Sequence, residues 1–211
     1  MKDIDWGYLF GMALQTVPEP RKVARDVFAF RAPRPVLWTI LALELVSVAF
    51  LKVISSILFP LDRDELTAMF GEEVMATAIL DPIAIGLILA AGAVAAVWMI
   101  YAIGRRAGGH GSFDQALLTM IWLVFVLLNL QLIIVVLTLF APGLALLLAV
   151  LSFAMSFWLA SHFIAEMHGF SSAGVVFVGI LMVLLVVAVA LSFVLALLGF
   201  GGAVEPGPGG A

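Results

Sequence analysis

The chain has 211 residues, of which 64% are hydrophobic and 11% charged, with a formal net charge of −4 and no cysteine. A soluble domain is nearer to half apolar and a quarter charged, so this composition excludes a soluble globular protein. The lack of cysteine excludes disulfides, thiol catalysis and cysteine-based metal sites within these residues.

Residues 1–34 predict an amphipathic arm before the first apolar stretch. Apolar residues recur at helical spacing until Pro18 and Pro20 interrupt the pattern. One predicted apolar face consists of Trp6, Leu9, Phe10, Ala13, Leu14 and Val17. A second face, formed by Val23, Val27 and Phe30, is surrounded by Arg21, Lys22 and Arg25. Basic amphipathic helices lie in the membrane interface. The arm either senses lipid or docks a partner, or it packs as a belt on the cytoplasmic face; we favour the belt.

Five apolar stretches follow, at about 35–59, 82–104, 117–140, 142–165 and 173–200. A helix needs ~20 residues to cross a bilayer, so each stretch is long enough to be a span. The turn signal Ala141-Pro142-Gly143 makes the third and fourth spans an antiparallel hairpin. We therefore predict an all-α, polytopic bundle of five transmembrane helices over 35–200. The Pro- and Gly-rich tail 201–211 is predicted to be disordered.

The basic residues predict the orientation of these spans. Eight of the ten Lys and Arg either precede the first span or lie between the second and third. The connection between the first and second spans is acidic, with Arg63 as its one basic residue. Because cytoplasmic loops collect Lys and Arg, we expect a cytoplasmic N-terminus and an external C-terminus in a bacterial inner membrane.

Two ionisable side chains lie within the first span. Such a group costs at least ~2.5–3.5 kcal/mol on insertion scales, which makes each one a functional hypothesis. Glu44 would lie about 12 Å deep, close to the middle of a ~30 Å core. Lys52 can extend to the outer headgroups. Glu44 therefore requires either a polar partner or protonation.

Polar residues on the third and fourth spans are predicted at matching depths. Asn129 is level with Ser152, and Ser156 is level with Glu44, while His162 and Glu166 lie towards the cytoplasmic mouth. One hypothesis is an interior polar track through these six residues. The alternative, which we favour, is that the Ser and Asn side chains are interhelical hydrogen-bonding groups and Glu44 is neutral.

The connection between the second and third spans is basic and rich in glycine. Arg105 and Arg106 are candidates for contact with phospholipid headgroups, as are Trp6, Arg21, Lys22 and Arg25 in the arm. The connection lacks the spacing of a nucleotide-binding loop.

Two motifs in this chain resemble those of the Yip family of Ypt- or Rab-interacting membrane proteins. Residues 108–117, G-G-H-G-S-F-D-Q-A-L, are similar to the family's G-G-x-G-S-F-x-x-x-L entry into its third helix. Residues 166–173, E-M-H-G-F-S-S-A, are similar to its step into the last helix. The resemblance implies five helices and a cytoplasmic N-terminus, and the chain resembles a bacterial member.

The resemblance does not carry Rab binding to this chain. The eukaryotic relatives bind Rab-type GTPases, but their acidic-tyrosine motif before the first helix is replaced here by Arg31-Ala32-Pro33-Arg34-Pro35. The Gly-Tyr-Ser motif of their third helix is absent as well.

The leading hypothesis is a non-enzymatic scaffold that organises membrane or binds a partner through its arm and cytoplasmic loops. The alternative is a small transporter, or a proton or lipid pathway, that uses Glu44. A lipid-acting enzyme using His162 and Glu166 is disfavoured because no nucleophile is paired with them. We expect contacts with membrane lipids and a protein partner on the cytoplasmic face, and allow for an oligomer. We expect no nucleic acid, cofactor or metal.

Overall fold

The computed structural model describes residues 6–59 and 81–197. Within these ranges the chain forms seven helices and no strand. Two are short, α1 (Trp6–Gln15) and α2 (Pro20–Phe28). Five are long, namely α3 (Arg34–Leu58), α4 (Pro82–Arg106), α5 (Phe113–Phe140), α6 (Pro142–His168) and α7 (Ala173–Leu197). The acidic connection with Arg63 and the tail 201–211 lie outside the described residues.

The five long helices are long and apolar enough to cross a membrane. They contain 24–28 residues within the candidate spans, and their mean hydropathy runs from 2.1 for α3 to 3.2 for α7. About 20 apolar residues suffice for a bilayer. The predicted all-α membrane bundle with five spans is confirmed.

Capping explains where two of the long helices begin and end. α5 begins at Phe113, ahead of the predicted start near 117, because Ser112 and Gln115 form a capping box. α6 continues to His168, beyond the predicted end near 165. It stops there because Gly169 takes the left-handed conformation that ends a helix, with φ +74°.

The α5–α6 hairpin is the centre of the bundle. α3 packs along α5, and α4 lies against both of them. α7 packs on α6 and has no buried residue, so it is the most peripheral helix of the five.

The core is concentrated at one end of the bundle. This end carries α1, α2 and the connections 107–112 and 169–172, and we call it the arm end. The bundle contributes Leu37, Leu41, Val97, Leu117, Trp122, Leu159 and Phe163 to the core cluster. The arm contributes Met12, Val23, Ala24 and Val27 to the same cluster. The arm therefore packs on the bundle and completes its core.

The predicted face at α1 is buried only in part, since Leu9 and Ala13 pack against the core cluster. Met12 and Thr16 are the buried residues, whereas Leu14 and Val17 of the predicted face are exposed. The difference arises because the polar residue Thr16 is buried in the core. Its hydroxyl both donates and accepts a hydrogen bond, so its burial is tolerated. In α2, Val23 and Val27 are buried, but Phe30 lies beyond the end of the helix and is exposed.

Candidate functional site

The two connections at the arm end enclose the side chain of His168, which is 1% exposed. Gly104 and Gly109 approach the ring so closely that a Cβ at either position would overlap it. At Gly111 a Cβ would lie 2.8 Å from Met167 Cγ and 2.9 Å from the imidazole. Gly104, Gly109 and Gly111 therefore form a glycine cradle around His168.

Hydrogen bonds fix the imidazole within the glycine cradle. The Gly111 N–H donates to Nδ1 of His168 at 3.2 Å, and Nε2 lies 3.1 Å from the Ile100 carbonyl oxygen. A backbone N–H can only donate and a carbonyl can only accept. The ring therefore accepts at Nδ1 and donates at Nε2, which is a neutral tautomer.

Further backbone contacts join the connections 107–112 and 169–172 into one unit. The His110 N–H donates to the His168 carbonyl at 3.2 Å, and the Phe170 ring stacks on the imidazole at 5.4 Å between centroids. Gly108 and Gly169 have φ values of +88° and +74°, which favour glycine.

The arm is attached to this unit by two arginines of α2. Arg25 Nη1 lies 3.0 Å from Oε1 of Glu166, and Arg21 Nη1 lies 4.0 Å from its other oxygen. Arg21 Nη2 also donates to the carbonyls of Phe170 and Ser171, at 3.2 and 3.0 Å. Glu166 therefore binds the arm, and Arg21 links α2 to the connection before α7.

Two further contacts tie the N-terminal region to α5. The Thr16 hydroxyl donates to the Met12 carbonyl at 2.7 Å and accepts from Trp122 Nε1–H at 3.1 Å. Arg34 Nε lies 2.6 Å from Asp114 Oδ1, and its guanidinium lies 5.2 Å from the centroid of the Phe113 ring. The start of α3 is therefore fixed against the start of α5.

The candidate lipid-contacting residues differ in what their side chains contact. Arg21 and Arg25 bind Glu166, as above, and the side chain of Trp6 lies outside the described residues. Lys22 Nζ lies 2.8 Å from Glu19 Oε2. This hydrogen bond, with the charge attraction, lowers the pKa of Glu19 and raises the pKa of Lys22.

The two arginines at the end of α4 are both exposed. Arg105 Nη1 donates to the Gly109 carbonyl at 3.3 Å. Arg106 has no ion-pair partner within 6–59 and 81–197. Of these two arginines, Arg106 is therefore the one whose charge is available to an external anion.

Four members of the predicted polar track hydrogen-bond to carbonyls of their own helices. These pairs are Asn129 with Phe125 at 2.7 Å, Ser152 with Leu148 at 2.7 Å, Ser156 with Phe153 at 2.6 Å, and His162 with Trp158 at 2.8 Å. The structure shows no hydrogen bond between any two track members among the residues it describes. The track stays a prediction.

Glu44 is the track member whose polar atoms are least satisfied. It is half-buried on α3, one turn after the buried Leu41, and its Oε2 is buried without a hydrogen-bond partner among the described residues. Thr119 Oγ1 on α5 is also buried without a hydrogen-bond partner among the described residues. An unpartnered buried oxygen is costly, which keeps Glu44 a candidate polar site.

Sequence reasoning did not identify His168 as the centre of the arm end. It included this residue only as part of the motif at 166–173. The sequence did contain a signal that the two connections meet, because both family-like motifs contain glycine and both adjoin the same face of the membrane. The contact between Thr16 and Trp122 left no such signal, since the two residues are 106 positions apart.

The comparisons with known proteins agree with the two motifs. A family model described as the Yip1 domain matches residues 14–198. The matched region includes α2 to α7, the glycine cradle and His168. No curated protein and no solved structure matches the chain. The resemblance drawn from the two motifs is confirmed, and the chain belongs to the Yip1 domain family.

Proposed function

We propose that the chain is a non-enzymatic scaffold of a bacterial inner membrane, with its arm end in the cytoplasm, that organises membrane or binds a protein partner there. The observation that carries the proposal is the docking of the arm. Because α2 is buried against α6 and Arg21 and Arg25 bind Glu166, the arm and the two connections form one continuous surface. A pre-formed surface binds without the cost of ordering a loose segment.

The charge of this surface supports an anionic partner. In the described part of the arm end, basic residues outnumber acidic ones by seven to four. The basic residues are Arg21, Lys22, Arg25, Arg31, Arg34, Arg105 and Arg106; the acidic ones are Glu19, Asp26, Asp114 and Glu166. Arg31 and Arg106 are exposed and have no ion-pair partner in this region. Complementary charge speeds association and selects against like-charged partners.

The orientation is testable because the chain has no cysteine of its own. Single variants Arg31→Cys and His110→Cys place a thiol at the arm end, and Arg63→Cys places one between the first two spans. In intact spheroplasts we expect a membrane-impermeant maleimide to label only Arg63→Cys. The other two should react after permeabilisation. Labelling of Arg31→Cys in intact cells would reverse the proposed orientation.

Partner binding is tested by photo-crosslinking in the cell. A photoreactive residue replaces Arg31 or Arg106 at the arm end, with exposed Ile57 near the far end of α3 as the control. We expect discrete protein adducts from the arm end and none from position 57. The proposal also requires these adducts to diminish in the charge-reversal variant Arg105→Glu, which leaves the ion pairs of the arm intact. Equal adducts from both ends, or none from either, would contradict a scaffold role.

A second candidate function is a proton or small-solute pathway through Glu44. It is supported by the buried Oε2 of this side chain, which has no hydrogen-bond partner among the described residues, since intramembrane carboxylates mark proton and ion pathways. Proteoliposomes containing a pH-sensitive dye would compare proton flux for the wild type and Glu44→Gln. Ser47→Ala, one turn further along α3, is the control, since the Ser47 hydroxyl bonds to the Leu43 carbonyl of its own helix. Equal flux in wild type and Glu44→Gln would eliminate this candidate.

A further inference from the structure

An apolar groove of about 590 Å³ lies between α4 and α7. The stretch from Ala96 to Ala107 forms one wall and the stretch from Val175 to Leu184 forms the other. Met120 of α5 and Ile164 of α6 lie in its floor. This volume is within the ~300–1,000 Å³ range of small-molecule sites. None of the six residues of the predicted polar track lines it, so the groove is separate from that hypothesis.

The groove has the length of one membrane leaflet. Ala96 and Ala107 are about 16 Å apart along the axis of α4, at 1.5 Å per residue. Half of a ~30 Å hydrocarbon core is about 15 Å. Since Ala107 and Ser171 lie at the arm end, the groove runs from that headgroup level to the middle of the bilayer. This is the extent of an acyl chain in a single leaflet.

The end of the groove at the headgroup level is lined by polar residues, and a basic residue adjoins this lining in the chain. Ser171 and Ser172 line it, and Arg106 lies between the lining residues Ile103 and Ala107 in the chain. Arg106 is exposed and has no ion-pair partner among the described residues. An apolar slot one leaflet long that ends beside a cation complements an anionic lipid.

We propose that this groove holds one acyl chain of an anionic glycerophospholipid from the arm-end leaflet, with the lipid phosphate at Arg106. The site does not depend on the scaffold function, because it would hold lipid whether or not a protein partner binds the arm. A spanning helix from a second copy fits less well. Such a helix would pack along the whole ~30 Å core, whereas the groove covers about half of it, and it supplies no anion at the level of Arg106.

The test uses phosphatidylglycerol that carries a photoactivatable diazirine in one acyl chain. The full chain is reconstituted in vesicles of four parts phosphatidylcholine to one part phosphatidylglycerol, irradiated, and mapped by peptide mass spectrometry. We expect label to concentrate on 96–107 and 175–184 over the other lipid-facing residues. Gly179→Phe should reduce that label to the level found elsewhere. A side chain at Gly179 enters open space within the groove, so the variant should fold.

Two further variants separate the chain site from the headgroup site. Gly86→Phe adds the same ring in open space on α4 but outside the groove, and should leave the labelling unchanged. Arg106→Gln should lower the preference for phosphatidylglycerol over phosphatidylcholine, measured by competition with unlabelled lipid, by about fivefold.

Several results would overturn the proposal. These are even labelling of all lipid-facing helices, labelling of Gly179→Phe equal to wild type, and a headgroup preference unchanged in Arg106→Gln. Cross-links between two copies through the groove residues would also overturn it, in favour of an oligomer interface. None of these results bears on adduct formation at Arg31, so failure of the lipid site and failure of the scaffold function remain distinguishable.

Discussion

Gly104 on α4 faces the imidazole of His168 at the end of α6 so closely that a hydrogen atom is the largest side chain that fits. The ring has no room to retreat, because Gly109 and Gly111 enclose it and both ring nitrogens are hydrogen-bonded. The second and fourth spans therefore meet through a histidine and a glycine cradle.

Gly104→Ala should destabilise the protein by about 1–3 kcal/mol, the usual cost of adding atoms to a packed site. The measurement is the free energy of unfolding of the purified protein in one detergent. Gly86→Ala is the matched control, since a Cβ there meets nothing within 4 Å. Alanine is a better helix former than glycine, so the control should gain about 0.5–1 kcal/mol. Equal losses in both variants would show that the cradle is not packed as described.

His168→Ala should also destabilise the protein, by about 1–3 kcal/mol, because the Gly111 N–H loses its acceptor at a buried position. The two substitutions should not be additive. With the ring removed, the overlap between the new Cβ and the imidazole is gone, so Gly104→Ala should cost far less in the His168→Ala background. A double-mutant cycle measures this coupling, expected to be about 0.5–3 kcal/mol. A coupling of zero would contradict direct contact between the two positions.

Thr16→Val should cost about 1–3 kcal/mol, because it preserves the shape of the side chain but leaves the buried Trp122 Nε1–H without its acceptor. Thr16→Ser keeps the hydroxyl and should cost less. The free energies of unfolding of the two variants make the comparison, and the position of the tryptophan emission reports on the indole environment. If Thr16→Val and Thr16→Ser were equally stable, the hydrogen bond would contribute nothing.

The sequence predicted the features of this fold that depend on local composition. Five spans follow from apolar length, and the α5–α6 hairpin follows from the turn signal at 141–143. Side-chain direction was not predictable in the same way. Depth arithmetic placed Asn129 and Ser152 at one level, but each hydrogen-bonds to its own helix. A serine or asparagine satisfied by the carbonyl one turn earlier leaves the same sequence pattern as one that bonds to a neighbouring helix.

In the arm, too, the sequence did not predict what the charged side chains contact. Positive charge in 21–25 predicts contact with anionic lipid, and this stays a prediction. The sequence did not predict that Arg21 and Arg25 bind Glu166, about 140 residues further along the chain. Two basic side chains that bind one carboxylate are indistinguishable in sequence from two that face phospholipid. Only the packing of α2 on α6 distinguishes the two cases.

The docking of the arm should depend more on buried apolar contacts than on its ion pairs. Val27 is 2% exposed, whereas the side chain of Arg25 is 60% exposed. An exposed ion pair contributes about 0.2–1 kcal/mol, so Arg25→Ala should leave α2 docked. Val27→Asp would bury an unpaired charge and should release α2 from α6. Hydrogen exchange of the α2 amides measures release, and Phe30→Asp, which adds the same charge at an exposed position, should leave exchange unchanged. Faster exchange in Arg25→Ala than in Val27→Asp would mean that the ion pairs, and not the apolar face, hold the arm on the bundle.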